Sequence, residues 1–179
     1  SGTYGGVPAS GIFFGASVNP ERIESSAWMF KHYQTELDMA VLGFLQVDSH
    51  GNVNVSKRGE AVQDFVGPGG FCDITEGAKT ILFVGSWMVG GEYQLQDDEL
   101  TVRRQGKPKF VQQLEHITFN AQSALQQGKR VYYVADVGVF KLTPRGIELC
   151  ELVYGIDVQK DIIDACEADI LVPSYFLKD

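Results

Sequence analysis

Met39-Ala40-Val41-Leu42-Gly43-Phe44-Leu45-Gln46-Val47 is an almost unbroken apolar run with a single polar side chain. A helix half in water would show a polar stripe along such a run. A continuous apolar stretch this short is instead the pattern of a strand covered on both faces. The run therefore predicts a central strand of a sheet with helices on both sides. Downstream, Asp48-Ser49-His50-Gly51 signals a turn, and residues 52–56 return as a short strand with Val53 and Val55 on one face. Residues 80–85 (TILFVG) form a second buried strand. Between them, Gly67-Pro68-Gly69-Gly70-Phe71 leads into a short helix over residues 73–78.

Further along, residues 93–95 and 100–104 flank the acidic turn Asp97-Asp98 as a hairpin. Asn120 caps a helix that Gly128 ends. Residues 130–135 and 137–142 read as strands, and Thr143-Pro144-Arg145-Gly146 turns into another over residues 147–153. Asp157 caps a last helix running through Cys166, with Val158, Ile162, Ile163 and Cys166 on one face. Upstream, Asn19-Pro20-Glu21 reads as a helix start, Asn capping and Pro in the first turn, with Trp28, Phe30 and Tyr33 in the helix beyond. The glycine-rich first twenty residues form a loop, and Ile12-Phe13-Phe14 predicts that it is buried. Strands alternating with helices early and hairpins late predict an α/β fold, an open mixed sheet with flanking helices. Ligands of such sheets sit at loops beyond the strand carboxyl ends.

The 179 residues suit one domain spanning residues 1–179, and 44% hydrophobic with 21% charged residues is an ordinary globular composition. Lys and Arg number 15 against 23 Asp and Glu, a net charge of -8. That balance argues against a nucleic-acid partner, which needs a basic face. No apolar run approaches the roughly 18 residues of a membrane span, and no secretory pattern opens the chain. Cys72, Cys150 and Cys166 are widely spaced and odd in number. They make neither a disulfide framework nor a zinc site, and they fit a reducing compartment such as the cytoplasm. Ser1-Gly2-Thr3-Tyr4-Gly5-Gly6 opens the chain in a glycine-rich stretch without Met, which reads as a piece of a longer protein or else as a tag remnant ahead of a natural start.

The residues themselves offer modest chemistry. Gly67-Pro68-Gly69-Gly70 places backbone N–H groups before a helix, where they can hold an anion or an oxyanion. It is neither a phosphate-binding Gly-Lys-Ser/Thr loop nor a dinucleotide motif, and a tight structural turn explains it as well. His50 lacks a spaced partner for acid–base work. Asn54 can orient a ligand carboxylate or stabilise its own turn. His32 and His116 make no metal spacing with any Cys, so no metal site is expected. The three Cys read as small core residues. Lys107, Lys109 and Arg103-Arg104 can face phosphates or simply blunt a sheet edge.

Several segments in order resemble the C-terminal half of family I coenzyme A transferases. They are Gly5-Gly6-Val7-Pro8-Ala9-Ser10-Gly11, Phe14-Gly15-Ala16, Leu42-Gly43, Gly51-Asn52-Val53-Asn54-Val55-Ser56-Lys57, Gly67-Pro68-Gly69-Gly70-Phe71, Ala78-Lys79 and Phe140-Lys141-Leu142-Thr143-Pro144-Arg145-Gly146. The branch that fits is the fused enzymes of short-chain acids, such as acetate or propionate CoA-transferase. The resemblance implies two related α/β halves with the active site between them, coenzyme A as substrate rather than prosthetic group, and a homo-oligomer. It implies partners that are acyl-CoA, small carboxylic acids and the N-terminal half of the same protein. In a eukaryote it allows a mitochondrial matrix location.

The family's nucleophile is a Glu in a Glu-x-Gly motif. Ser1-Gly2 match the last two positions, so that Glu is expected immediately before Ser1, and the fragment alone is expected to be inactive. By resemblance, Gly70 contributes to catalysis as an oxyanion donor, Gly69 and Gly70 line the CoA thioester, and Asn54, or Asn52 in a shifted register, positions the acid. An acyl-CoA hydrolase and a non-catalytic CoA-binding or partner-binding module are the alternative functions.

Overall fold

In the computed structural model, residues 2–13 and 15–177 are described. The apolar runs pair first. Met39–Leu42 (β1) lies parallel to Thr80–Val84 (β2), which lies parallel to Arg130–Ala135 (β3). Gly138–Thr143 (β4) and Gly146–Leu152 (β5) continue antiparallel through tight turns, and Ile170–Leu171 (β6) adds a parallel edge. The spatial order β6-β5-β4-β3-β2-β1 follows the chain, with crossover connections joining the parallel neighbours and tight turns joining the antiparallel ones. This is the mixed α/β sheet that the alternation predicts.

A smaller three-stranded sheet caps one side. Gln46–Asp48 lies between Val53–Asn54, antiparallel, and Phe110–Val111, parallel. The core fills the space between the layers. Phe83 stacks on Phe71 and Tyr133, Trp87 stacks on Phe140, and Phe110 meets both Trp87 and Phe140. These aromatic rings, with Val47, Val53, Ile81, Ile147, Leu149 and Ile162, are almost completely withdrawn from water. Burial on that scale is the dominant favourable contribution to folding.

Helix Ser26–Glu36 (α1) packs on Phe71–Gly77 (α2), and Ala121–Gln126 (α3) lies against β3 and β4. A Cβ on Gly77 would overlap the Tyr33 carbonyl, so a side chain there would force α1 and α2 apart. Asn120 caps α3 by accepting from the Ser123 N–H at 2.8 Å, and Gly128 follows with φ 69°, as the sequence predicts. The hairpin of Glu92–Gln96 and Glu99–Arg104 is also present, with Asp97 and Asp98 both at positive φ in its turn.

Several expectations are corrected. The run 39–47 is not one central strand. The chain leaves the large sheet after Leu42, and Gln46–Asp48 joins the small one. β1 is an edge strand with Met39 and Val41 more than half exposed. Apolarity reported burial for Ala40, Phe44 and Val47 but could not report which sheet each joins. Asn19 does not start a helix. It sits at φ 51°, Arg22–Ile23 is extended, and Ser25 caps α1 by accepting from the Trp28 N–H. Ile12 and Phe13 are exposed, so that part of the first loop is not buried, and Phe14 lies outside the described residues. The last helix is a π-helical segment, Val158–Ile163, capped by Asp157 but ending before Cys166. No helix among the described residues is long and apolar enough to cross a membrane.

Candidate active site

Three parallel strands end on one edge of the sheet. Gly43-Phe44-Leu45 follows β1, Gly85-Ser86-Trp87 follows β2, and Asp136 follows β3. Helix α2 runs back along β2, because only Ala78 and Lys79 separate its last residue from the first of β2. Its N-terminus therefore returns to the same carboxyl edge, and the Phe71–Phe83 stack fixes it there with ring centroids 5.9 Å apart. This brings the Gly69-Gly70 turn to the edge where open α/β sheets bind their ligands.

The turn is made by Phe71 N–H donating to the Pro68 carbonyl at 3.2 Å. Gly69 has φ 59° and Gly70 has φ -84° and ψ 9°, the signs of a type II′ turn, which calls for glycine at its first central position. Gly70 is glycine for a different reason. Its backbone suits any residue, but a Cβ would collide with the Phe30 ring. Neither the Gly69 nor the Gly70 N–H finds an intrachain acceptor among the described residues. Two free backbone donors at this edge are suited to an anion or a developing oxyanion.

Asn54 sits differently from what its expected role requires. Its amide donates to Gln46 Oε1 at 3.0 Å and to the Lys57 carbonyl at 2.7 Å, and its oxygen accepts from the Ser56 and Lys57 N–H groups, both at 3.0 Å. All four hydrogen-bonding positions of the side chain are thus used to hold the chain's own turn. Asn54 still borders a cleft of about 400 Å³, whose walls include Lys57, Lys107 and Glu115. Its carbonyl also accepts from Leu45 N–H, which ties it to the carboxyl-edge loop.

Asn52 is also committed. It donates to Asp48 Oδ2 and accepts from the Ala121 N–H. Asp48 accepts as well from the His50 and Asn52 N–H groups, and Tyr133 OH donates to the Gly51 carbonyl at 2.5 Å. Burial first, then the Asp48 charge, pushes the Tyr133 phenol well above its ordinary pKa, so it stays a donor. His50 lines a second cleft with Thr143, Arg145 and Gly146. The segment 48–54 therefore works as a clamp between the small sheet, α3 and β3.

No group of three or more His, Cys, Asp or Glu among the described residues can hold a metal ion. Burial raises Cys166 to about 11, and Cys150 is also raised, chiefly by burial, whereas Cys72 is exposed. Lys109, which the sequence groups with Lys107 and Arg103-Arg104 as a phosphate-facing or edge charge, is only 8% exposed, with Nζ 4.1 Å from the centre of the Phe44 ring. The available signal was its place between Pro108 and Phe110 in a short apolar stretch.

An open mixed sheet with free amides at the carboxyl edge of its parallel strands defines an α/β domain able to handle an anionic or carbonyl ligand. No family profile matches the chain. Its curated relatives are informative. Acetate CoA-transferase YdiF of Escherichia coli K12 is 36% identical over 183 residues, covering 100% of this chain and 34% of the relative. Caffeate CoA-transferase of Acetobacterium woodii is 37% identical over 170 residues, covering 91% and 32%. The crystal structure of the YdiF acyl-CoA transferase apoenzyme from Escherichia coli O157:H7 superposes with TM-score 0.85 at 33% identity, covering 96% of this chain and 32% of that one. Its thioester complex with CoA superposes with TM-score 0.83 at 32% identity, covering 94% and 32%. Over essentially its whole length the chain is similar to these coenzyme A transferases, and it spans about a third of the length of the relatives it matches. Ser1, which the expected nucleophile motif would include, lies outside the described residues.

Proposed function

We propose that the chain is the nucleophile-side, C-terminal half of an enzyme that moves coenzyme A between a short-chain acyl-CoA and a carboxylate acceptor. The observation that carries this reading is the similarity, across the whole of this chain, to about a third of acetate CoA-transferase YdiF, whose Escherichia coli O157:H7 form is also solved as a thioester complex with CoA. The free Gly69 and Gly70 amides at the carboxyl edge support it. The nucleophile is a Glu placed immediately before Ser1 in the parent protein, an N-terminal half completes the cleft, and 179 residues alone do not turn over. The functional assembly is a homo-oligomer located in the cytoplasm.

In this mechanism the Glu carboxylate attacks the acyl-CoA carbonyl and the C–S bond breaks, giving a mixed anhydride and CoA thiolate. The thiolate attacks the glutamyl carbonyl, releasing the first acid as carboxylate and leaving an enzyme-CoA thioester. The acceptor carboxylate reverses both steps. Two easier substitutions thus replace one difficult exchange. Each attack drives negative charge onto a carbonyl oxygen, which the Gly70 N–H receives, with Gly69 lining the thioester. Asn54 serves by holding the turn of residues 54–57 beside the Leu45 loop rather than by offering its own amide.

The test is single-turnover incubation of the complete parent enzyme with acetyl-CoA, followed by borohydride reduction and mass spectrometry. Reduction confined to the Glu preceding Ser1, with conversion of labelled propionate to propionyl-CoA and release of acetate, is the expected result. CoA release independent of added acid would identify a hydrolase, and no enzyme-CoA adduct would remove the covalent mechanism.

A further inference from the structure

Lys109 reaches the carboxyl edge from Lys107–Pro108 and Phe110–Val111, the short strands that flank it. Its Nζ packs over the Phe44 ring and lies beside Gly85, where a Cβ would come within 3.1 Å of the nitrogen and 2.9 Å of the ring. Phe44 follows β1 and Gly85 follows β2, so the ammonium stands at the mouth of the parallel strands. It has no hydrogen bond and no ion pair among the described residues. Among the described residues, the unpartnered side-chain polar atoms that water cannot reach are Thr80 Oγ1, Tyr93 OH and Asp161 Oδ1. Lys109 Nζ is not among them, so part of its surface remains accessible. Burial lowers its pKa, and the nearby Asp136 partly opposes that effect. Asp136 accepts from the Trp87 N–H through Oδ2 and makes no ion pair with Lys109.

A cation stripped of most of its water and given only a ring face is costly unless an anion completes it. A carboxylate does so with a short charge-assisted hydrogen bond. We propose that the Lys109 ammonium, held over Phe44 beside Gly85, is the binding group for the carboxylate of the acid that enters or leaves the site. This rests on the transferase reading for its ligand. One carboxylate oxygen is held by Nζ, which leaves the other free to attack or to depart.

The experiment uses the complete parent enzyme with acetate as probe, in the wild type, Lys109→Met and Lys109→Arg. Exchange kinetics should show KM for acetate raised on the order of tenfold or more in Lys109→Met, the loss expected for a charged hydrogen bond. KM for the acyl-CoA should change less than about threefold on the same scale. Lys109→Arg should recover part of the acetate affinity. Acetate-dependent thermal shift, read without turnover, should be present in the wild type and lost in Lys109→Met. An unchanged KM for acetate, or an acetate shift that persists in Lys109→Met, would overturn the role. A wild-type enzyme that binds acetate through Lys109 yet shows no exchange would retain this site and reject the transferase reading. A fall in melting temperature for Lys109→Met with both acetate readouts intact would make Lys109 a packing residue only.

Discussion

Gly69→Ala and Gly70→Ala should fail for different reasons, and a double-mutant cycle can separate them. At Gly70 the backbone, φ -84° and ψ 9°, is open to any residue. The obstacle is Phe30, whose Cζ and Cδ1 atoms would lie 3.0 and 3.1 Å from an added Cβ, with Cε1 closer still. Carbon atoms meet comfortably at about 3.5–4.0 Å, so the ring must recede. It cannot recede freely, because α1 is pinned to α2 where Gly77 meets the Tyr33 carbonyl. Overpacking of this kind costs about 1–3 kcal/mol. For a chain of this size that is a drop of roughly 2–4 °C in Tm per kcal/mol.

Gly69 has open space around it but φ 59°, where a Cβ costs about 1–2 kcal/mol whatever its surroundings. Urea unfolding of both alanine variants, each in wild-type and Phe30→Ala backgrounds, is the assay. The Gly70→Ala penalty should largely vanish in Phe30→Ala, while the Gly69→Ala penalty should stay the same. Equal Gly70→Ala penalties in both backgrounds would refute the steric account and return Gly70 to a conformational role.

Two further outcomes follow from the same geometry. Asn54→Leu removes four hydrogen bonds and leaves the Ser56 and Lys57 N–H groups without their acceptor, so stability measured by urea unfolding should fall by about 1–3 kcal/mol or more. Asn54→Asp, which keeps the acceptor and loses the amide donor, should fall less. In acid, the Lys141 hydrogen bond and charge hold the Glu148 carboxyl below its ordinary pKa, with Arg145 adding to the effect. A depressed carboxyl contributes stability that is present above its unfolded pKa of about 4.3 and is lost as pH falls through the folded value. Thermal melts of the wild type should therefore lose stability more steeply below about pH 4 than those of Glu148→Gln, and parallel curves would exclude the contribution.

Much of the architecture was legible because it is written in local physics. The strands at 80–84, 130–135 and 138–143 announced themselves as apolar runs between turn residues, and Asn120 and Gly128 marked α3 through capping alone. The order of the glycine, Asn and Lys-Leu-Thr-Pro-Arg-Gly segments was enough to point to the family. What the sequence could not carry were properties that depend on residues distant along the chain. Met39 and Val41 read as interior, yet β1 has no neighbour on its outer side, because order in a sheet is set by tertiary pairing.

Asn54 carries the same chemistry as a ligand-binding amide or a turn-holding one. Only the positions of Gln46, Ser56 and Lys57 decide that its hydrogen bonds are spent internally. At Gly70 the missing side chain also leaves space for a ring forty residues earlier, which no local pattern announces. Lys109, a phosphate-facing or edge charge in the sequence, becomes a near-buried cation because Phe44 and Gly85 arrive beside it from the segments that follow β1 and β2. Local propensity and apolar periodicity determine which elements form. Packing between elements, a many-body property that no single stretch encodes, decides which polar groups remain free to do chemistry.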